Sequence, residues 1–60
     1  MKECCEKWLW SDNCQPKQPQ KGKFVEIQTC PECGEEMAII FRYDGLLNSG
    51  LPYYSVLGVE

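Results

Sequence analysis

The segment Cys30-Pro31-Glu32-Cys33-Gly34 carries the residues of this chain that are best suited to chemistry. Two cysteines separated by two residues can direct both sulfurs at one metal ion, and a glycine after the second can adopt the positive φ that turns nearby N–H groups toward the thiolates. This pattern, called the knuckle below, is typical of one half of a structural zinc site. Because structural zinc takes four ligands, two more must come from elsewhere in the chain.

Three further cysteines, Cys4, Cys5 and Cys14, are available for the second half of the site, one more than it needs. Adjacent cysteines point in different directions in a regular helix or strand, so use of both Cys4 and Cys5 requires a distorted backbone. One of that pair together with Cys14 is the easier geometry if residues 5–14 loop back. We expect one of the three to be dispensable for zinc. The candidate metal ligands are Cys4, Cys5, Cys14, Cys30 and Cys33.

Two other uses of the cysteines compete with zinc. A thiol redox protein would use Cys30 and Cys33, but that chemistry favours a first thiolate at a helix N-terminus within a βαβ unit, whereas strand-like residues flank this knuckle. A rubredoxin-like iron site normally takes two Cys-x-x-Cys knuckles, and this chain has one. The absence of histidine excludes a Cys₂His₂ finger, a zinc deaminase site and a histidine general base. Zinc is therefore the cofactor that we expect.

The length of the chain, 60 residues, predicts one domain that needs disulfides or a bound metal for stability. Folding at this length buries only about 60% of the surface that the unfolded chain exposes. Disulfides belong to secreted proteins, and Met1–Lys7 lacks the apolar segment of a signal peptide. The longest apolar run, Met37–Phe41, is too short to span a membrane. We therefore expect a single zinc-binding domain over residues 1–60, cytoplasmic and without membrane contact.

The charge of the chain is unevenly distributed. Residues 1–23 carry five lysines against three acids, whereas residues 24–60 carry one arginine against six acids, for a net charge of −3. Four thiolates around one Zn²⁺ would lower the total to about −5. Because binding to a phosphate backbone scales with the number of lysines and arginines engaged, this acidity disfavours nucleic-acid binding as the main activity.

The hydrophobic pattern predicts the elements that position the cysteines. Apolar residues on one face predict a short helix over residues 3–10, with a strand over residues 8–10 as the alternative, and residues 11–13 read as a turn. A polar, proline-containing stretch predicts a flexible loop over residues 15–22. Alternating residues then predict an antiparallel hairpin with the knuckle at its tip, and a third strand. The expected strands span residues 24–29, 37–43 and 52–59. Asp44-Gly45 is expected to end the second strand, and the third is expected at the edge of the sheet because a proline lies near its start.

The expected fold is thus a small zinc-stabilised, mostly β domain with a zinc-ribbon-like hairpin and a short N-terminal helix or turn. The combination of Cys4-Cys5-Glu6-Lys7-Trp8 with the knuckle resembles small zinc-ribbon-like proteins of bacteriophage and prophage genomes. That resemblance rests on about ten residues. It implies that the Cys-Cys pair and the knuckle are the ligands and that Cys14 is spare, and it implies a phage-encoded modulator of a host factor. This chain departs from the pattern by carrying Cys14 and by continuing from residue 35 to residue 60.

For function, the sequence favours a binding module that docks on a partner protein. We expect Trp8, Phe41 and one of the tyrosines 53 and 54 in the core, which leaves other aromatic residues exposed as a contact surface. The first alternative is a nucleic-acid-binding ribbon that uses the lysines of residues 17–23 and the tryptophans. The second is a thiol redox protein. An enzyme is the last choice, with no catalytic residue assigned, because a zinc ion closed by four thiolates has no open position for water.

Overall fold

The computed structural model describes residues 2–60, which form a three-stranded antiparallel sheet and one short helix, α1. Helix α1 spans Glu3–Leu9, and the strands are β1 (Lys23–Thr29), β2 (Glu36–Leu46) and β3 (Pro52–Val59). Their order in the sheet is β1-β2-β3, so the C-terminal strand is an edge strand. The mostly β fold with a short N-terminal helix is thereby confirmed.

The hairpin of β1 and β2 presents the knuckle at its tip. Thr29 pairs with Glu36 at that end, and Phe24 pairs with Phe41 further along the ladder. The six residues between the strands, 30–35, contain both knuckle cysteines. The antiparallel hairpin with the knuckle at its tip was predicted, and this register places Phe24, Gln28, Met37, Ile39 and Phe41 together on the buried face.

Strand β2 continues past the point at which the sequence predicted its end. It runs eleven residues to Leu46, and Asp44-Gly45 forms an irregularity within the ladder instead of a terminating turn. Gly45 has a φ of 105° and still pairs with Tyr53. A glycine at positive φ can serve a bulge as readily as a turn, which is why the dipeptide was misread.

Helix α1 forms where the sequence predicted it, and the alternative strand at residues 8–10 does not form. Cys5 and Leu9 point to the core from successive turns, and a salt bridge of 3.5 Å joins Lys7 Nζ to Glu3 Oε1. After the helix, the Ser11 hydroxyl donates a hydrogen bond of 2.8 Å to the carbonyl of Trp8. The chain therefore turns at Ser11 and brings Cys14 back toward the sheet.

The core lies between α1 and one face of the sheet, called the inner face. Phe24 stacks on Phe41 with ring centroids 5.6 Å apart, and Tyr54 meets Phe24 edge-on at 5.9 Å. Phe41 is fully buried, while Trp8 and Tyr54 pack half-buried against the core and Tyr53 is exposed. The buried cluster consists of Cys5, Leu9, Cys14, Phe24, Cys30, Met37, Ile39 and Phe41.

The residues on the opposite face of the sheet do not belong to the buried cluster of residues 2–60. The register places the alternate residues of β1 and β2 on this outer sheet face, where Val25 pairs with Ile40 and Ile27 pairs with Ala38. Val25 is 46% exposed and Ile27 is 63% exposed. The outer sheet face is defined here by Val25, Ile27, Ala38 and Ile40.

The polar segment 15–22 is attached to β1 by hydrogen bonds. The Glu26 carboxylate accepts the backbone N–H groups of Lys17 at 2.7 Å and Gln18 at 3.1 Å. The buried side-chain amide of Gln28 donates to the carbonyl of Gln15 at 2.7 Å and to Glu26 at 3.0 Å. Within residues 2–60, no helix has the length and apolar character needed to cross a bilayer.

Candidate metal centre

The knuckle adopts a tight turn that points N–H groups at a sulfur. Gly34 has a φ of 77° and donates its N–H to the carbonyl of Cys30 at 2.9 Å. The N–H of Cys30 in turn bonds the carbonyl of Glu35 at 2.8 Å, which closes the hairpin. The positive φ expected after the second cysteine is therefore present.

This turn favours the thiolate form of Cys30. Hydrogen bonds from the backbone N–H of Cys33 and, less strongly, of Glu32 lower the pKa of the Cys30 thiol from 9.0 to about 7, although burial opposes the shift. Hydrogen bonds donated to an anion stabilise it relative to the neutral thiol. The backbone of its own turn thus stabilises Cys30 as a thiolate, which is the form of cysteine that binds metals.

Both cysteines of the Cys-Cys pair reach the knuckle from the first turn of α1. Side chains of a helix tilt toward its N-terminus, and no earlier turn obstructs them there, so consecutive residues can both extend past the end of the helix. Cys5 Sγ lies 3.3 Å from Cys33 Sγ. The sulfurs of Cys4, Cys5, Cys30 and Cys33 all lie within 4.8 Å of one another.

The spacing of the four sulfurs suits one tetrahedral metal ion. Zinc–thiolate bonds of about 2.3 Å imply sulfur–sulfur distances of about 3.8 Å in a regular tetrahedron. The distances in the cluster, from 3.3 Å for one pair to at most 4.8 Å, bracket that value. All four cysteines are free thiols. The group can therefore hold a metal ion.

The electrostatics of the cluster also favour a cation. Hydrogen bonding with Cys33 and burial raise the pKa of Cys5 to about 12, and the same two causes raise the pKa of Cys4. Four ionised sulfurs this close repel one another unless positive charge lies between them. A divalent ion would supply that charge and keep all four sulfurs as thiolates.

An ion pair that was not predicted from the sequence lies beside the four cysteines. Lys2 Nζ lies 3.2 Å from Glu35 Oε1, and the other oxygen of Glu35 lies 4.0 Å from Cys5 Sγ. Hydrogen bonding and charge interaction with Glu35 raise the pKa of Lys2, and Cys33 and Cys4 add to the effect. No sequence signal links these two residues, because Lys2 precedes α1 and Glu35 follows the knuckle.

Cys14 lies outside the group of four. Its sulfur is buried and lies 3.9 Å from the side-chain oxygen of Gln28, on the inner face of β1. Burial raises the pKa of the Cys14 thiol, and Glu26 adds to the shift. The structure thus brings together Cys4, Cys5, Cys30 and Cys33 and places Cys14 among core residues. The set of four is the one that the phage-protein resemblance implied.

Comparison of the chain with protein families, with curated proteins and with solved structures found no match.

Proposed function

We propose that this protein is a structural zinc module that acts by docking on a partner protein. The observation that carries the metal half of the proposal is the convergence of Cys4, Cys5, Cys30 and Cys33, with all sulfurs within 4.8 Å. These four residues come from two segments of the chain that no disulfide joins, because all five cysteines are free. A zinc ion would fasten α1 to the tip of the hairpin.

The chemistry of the donors favours zinc in a structural role. A tetrahedral set of four sulfurs suits zinc or iron, and hard cations such as magnesium prefer oxygen ligands. Four thiolates would fill the coordination of zinc, so no position remains at which water could be activated. We accordingly propose that the protein is not an enzyme and has no catalytic residue.

The outer sheet face supports docking on a protein. Val25 and Ile27 expose apolar side chains on adjacent positions of one face, and Ile40 and Ala38 continue the surface across the ladder. Clustered apolar residues on a soluble domain commonly mark contact surfaces. The acidic character of residues 24–60 disfavours a nucleic acid as the partner. A phage-encoded modulator of a host factor in the cytoplasm is the setting that the resemblance suggests.

The metal half is tested by metal analysis of the purified chain and of single serine variants. We expect one zinc per chain, retained in Cys14→Ser and lost or greatly weakened in Cys4→Ser, Cys5→Ser, Cys30→Ser and Cys33→Ser. Retention of full zinc by any of those four, or loss of zinc in Cys14→Ser, would contradict the ligand set. A coloured, iron-containing protein would contradict zinc.

The docking half is tested with a photo-crosslinking residue placed at Ile27 in the native cell. We expect a protein adduct that disappears when Val25 is changed to lysine and persists in the matched variant Leu46→Lys. Leu46 is also an exposed apolar residue, but it lies at the far end of β2. Equal loss of the adduct in both variants would contradict docking through this face. Salt-sensitive retention on heparin would favour a nucleic-acid partner.

A further inference from the structure

A pocket of about 250 Å³ opens between the end of α1 and strand β3. Leu9, Trp10, Asp12 and Cys14 line one side, and Tyr53 and Tyr54 line the other. Binding sites for drug-sized molecules usually measure about 300–1,000 Å³, so this pocket suits a single side chain better than a whole cofactor. It lies apart from the four clustered cysteines, none of which lines it.

The charge of the pocket favours a cation. Asp12 is its only charged lining residue, and no lysine or arginine lines it. The Asp12 carboxylate forms no salt bridge with another residue in 2–60, where the three ion pairs involve Glu3, Glu35 and Asp44.

The aromatic residues of the pocket favour the same kind of ligand. Trp10 is 59% exposed and Tyr53 is 47% exposed, so both rings are accessible to a ligand. Tyr54 is held in place by Phe24 and by Tyr43, whose ring centroid lies 5.6 Å away. Aromatic faces attract cations through the negative charge of their π systems, and tryptophan does so most strongly.

We propose that this pocket binds an arginine side chain presented by a partner protein. The planar guanidinium can stack on an aromatic ring while donating hydrogen bonds to a carboxylate, a combination that the ammonium of lysine cannot match. The Asp12 carboxylate would accept hydrogen bonds from the guanidinium group. The rings of Trp10 and Tyr53 would pack against that group and against the aliphatic part of the arginine side chain. The pocket lies on the α1 side of the sheet, opposite the outer sheet face, so it would be a second contact surface of the docking module proposed above, a role on which this proposal rests. It does not depend on the identity of the metal.

The test is an NMR titration of the metal-loaded chain with N-acetyl-arginine-amide, followed through the indole N–H of Trp10. N-acetyl-citrulline-amide, a neutral molecule of nearly the same shape, is the control probe. We expect saturable millimolar binding of the arginine probe that weakens with added salt, and at least about fivefold weaker binding of citrulline, as expected when a charge-assisted hydrogen bond is lost. Equal binding of the two probes, or no saturable binding, would overturn the proposal.

Two variants locate the binding. Asp12→Asn should weaken arginine binding about fivefold or more and bring it close to that of citrulline, whereas Glu60→Gln, which removes the same charge outside the pocket, should leave it unchanged. An unaltered affinity in Asp12→Asn, or an equal loss in Glu60→Gln, would overturn the site. If Asp12→Asn misfolds, the salt dependence of arginine binding to the unmodified chain takes its place as the test. Binding that does not weaken with added salt would then overturn the proposal. Zinc content and crosslinking at Ile27 report separately on the proposed function.

Discussion

Cys5 Sγ and Cys33 Sγ lie 3.3 Å apart although 28 residues separate them in the chain. Cys5 belongs to α1 and Cys33 to the tip of the β1–β2 hairpin. Outside this cluster, Leu9 and Trp8 pack against the core, and the ion pair of Lys2 with Glu35 joins the start of α1 to the knuckle. The four cysteines and this ion pair therefore connect the helix to the hairpin tip.

Removal of zinc should unfold the domain. In small zinc modules the apparent free energy of metal binding, about 10–16 kcal/mol, is largely free energy of folding. We expect a strong chelator to abolish the far-ultraviolet signal of α1 and to shift the emission of half-buried Trp8 to longer wavelength. Restoring zinc should recover both signals. A chelated protein that keeps native amide dispersion in its NMR spectrum would contradict a structural metal.

Substitution of Gly34 should weaken the knuckle through the backbone alone. The φ of 77° is unfavourable for residues with a Cβ, but an added Cβ would meet no atom within 4 Å. Gly34→Ala should therefore lower the free energy of unfolding by about 1 kcal/mol, and Gly34→Asn by less, because asparagine tolerates the left-handed region. Urea denaturation of the zinc-loaded variants measures both values. Equal stability of all three proteins would exclude a role for this φ.

Zinc affinity should fall as pH falls, because thiolates bind the metal and thiols do not. Backbone hydrogen bonds, led by the N–H of Cys33, lower the pKa of Cys30 from 9.0 to about 7, so this sulfur is mostly a thiolate at pH 8 and takes up a proton as pH falls through about 7. Cys5, whose pKa is raised to about 12, must lose a proton to bind zinc at neutral pH. Competition with a chromophoric chelator measures the affinity from about pH 8 to about pH 6. A pH-independent affinity would contradict a four-thiolate site.

Glu26 should fix the start of the loop that follows Cys14. Burial opposes its ionisation, but hydrogen bonds from the N–H groups of Lys17 and Gln18 give a net lowering of its pKa. Glu26→Ala should therefore increase hydrogen exchange of those two amides severalfold at neutral pH, because both lose their acceptor. Glu60→Ala is the control for a lost carboxylate. If exchange at Lys17 and Gln18 is the same in all three proteins, the contacts of Glu26 do not order the loop.

Replacement of Cys14 by alanine should lower stability without changing zinc content. The sulfur is buried against the side chain of Gln28, so its removal leaves a small void in the core. We expect a loss of about 1 kcal/mol in the free energy of unfolding, in the range of deletions of one heavy atom from a core. Denaturation and metal analysis of the same sample separate the two effects. A reduced zinc content in Cys14→Ala would place this sulfur at the metal.

The sequence predicted the three strands because each run is rich in β-branched and aromatic residues and is bounded by turn residues. The third strand was predicted over residues 52–59, which are the bounds of β3, and the hairpin placed the knuckle correctly. The end of β2 was wrong because Asp44-Gly45 is compatible with both a turn and a bulge. Only the pairing of Gly45 with Tyr53 of β3 distinguishes the bulge from the turn, and that pairing is a tertiary feature.

The second half of the site was harder to predict than the first. Spacing alone left Cys4, Cys5 and Cys14 open, since it does not specify how side chains leave the first turn of a helix. The contacts of Glu26 with Lys17 and Gln18 were missed for a related reason, because composition reports that a segment is polar and not which acceptor faces it. The pocket proposed to bind arginine combines residues from α1, from the turn after it and from β3, which no local pattern joins.

Strand β2 pairs with β1 through its first seven residues and with β3 through seven of its last eight, so the two ladders overlap only at residues 39–42. The β2–β3 hairpin closes a connection of five residues, Leu47–Leu51. Contact between α1 and the hairpin tip instead closes the long loop between Cys5 and Cys30. This step is slower because closing a longer loop costs more conformational entropy. Both hairpins, whose connections have six and five residues, would therefore form before the metal-binding end, which joins α1 to a sheet that is already paired.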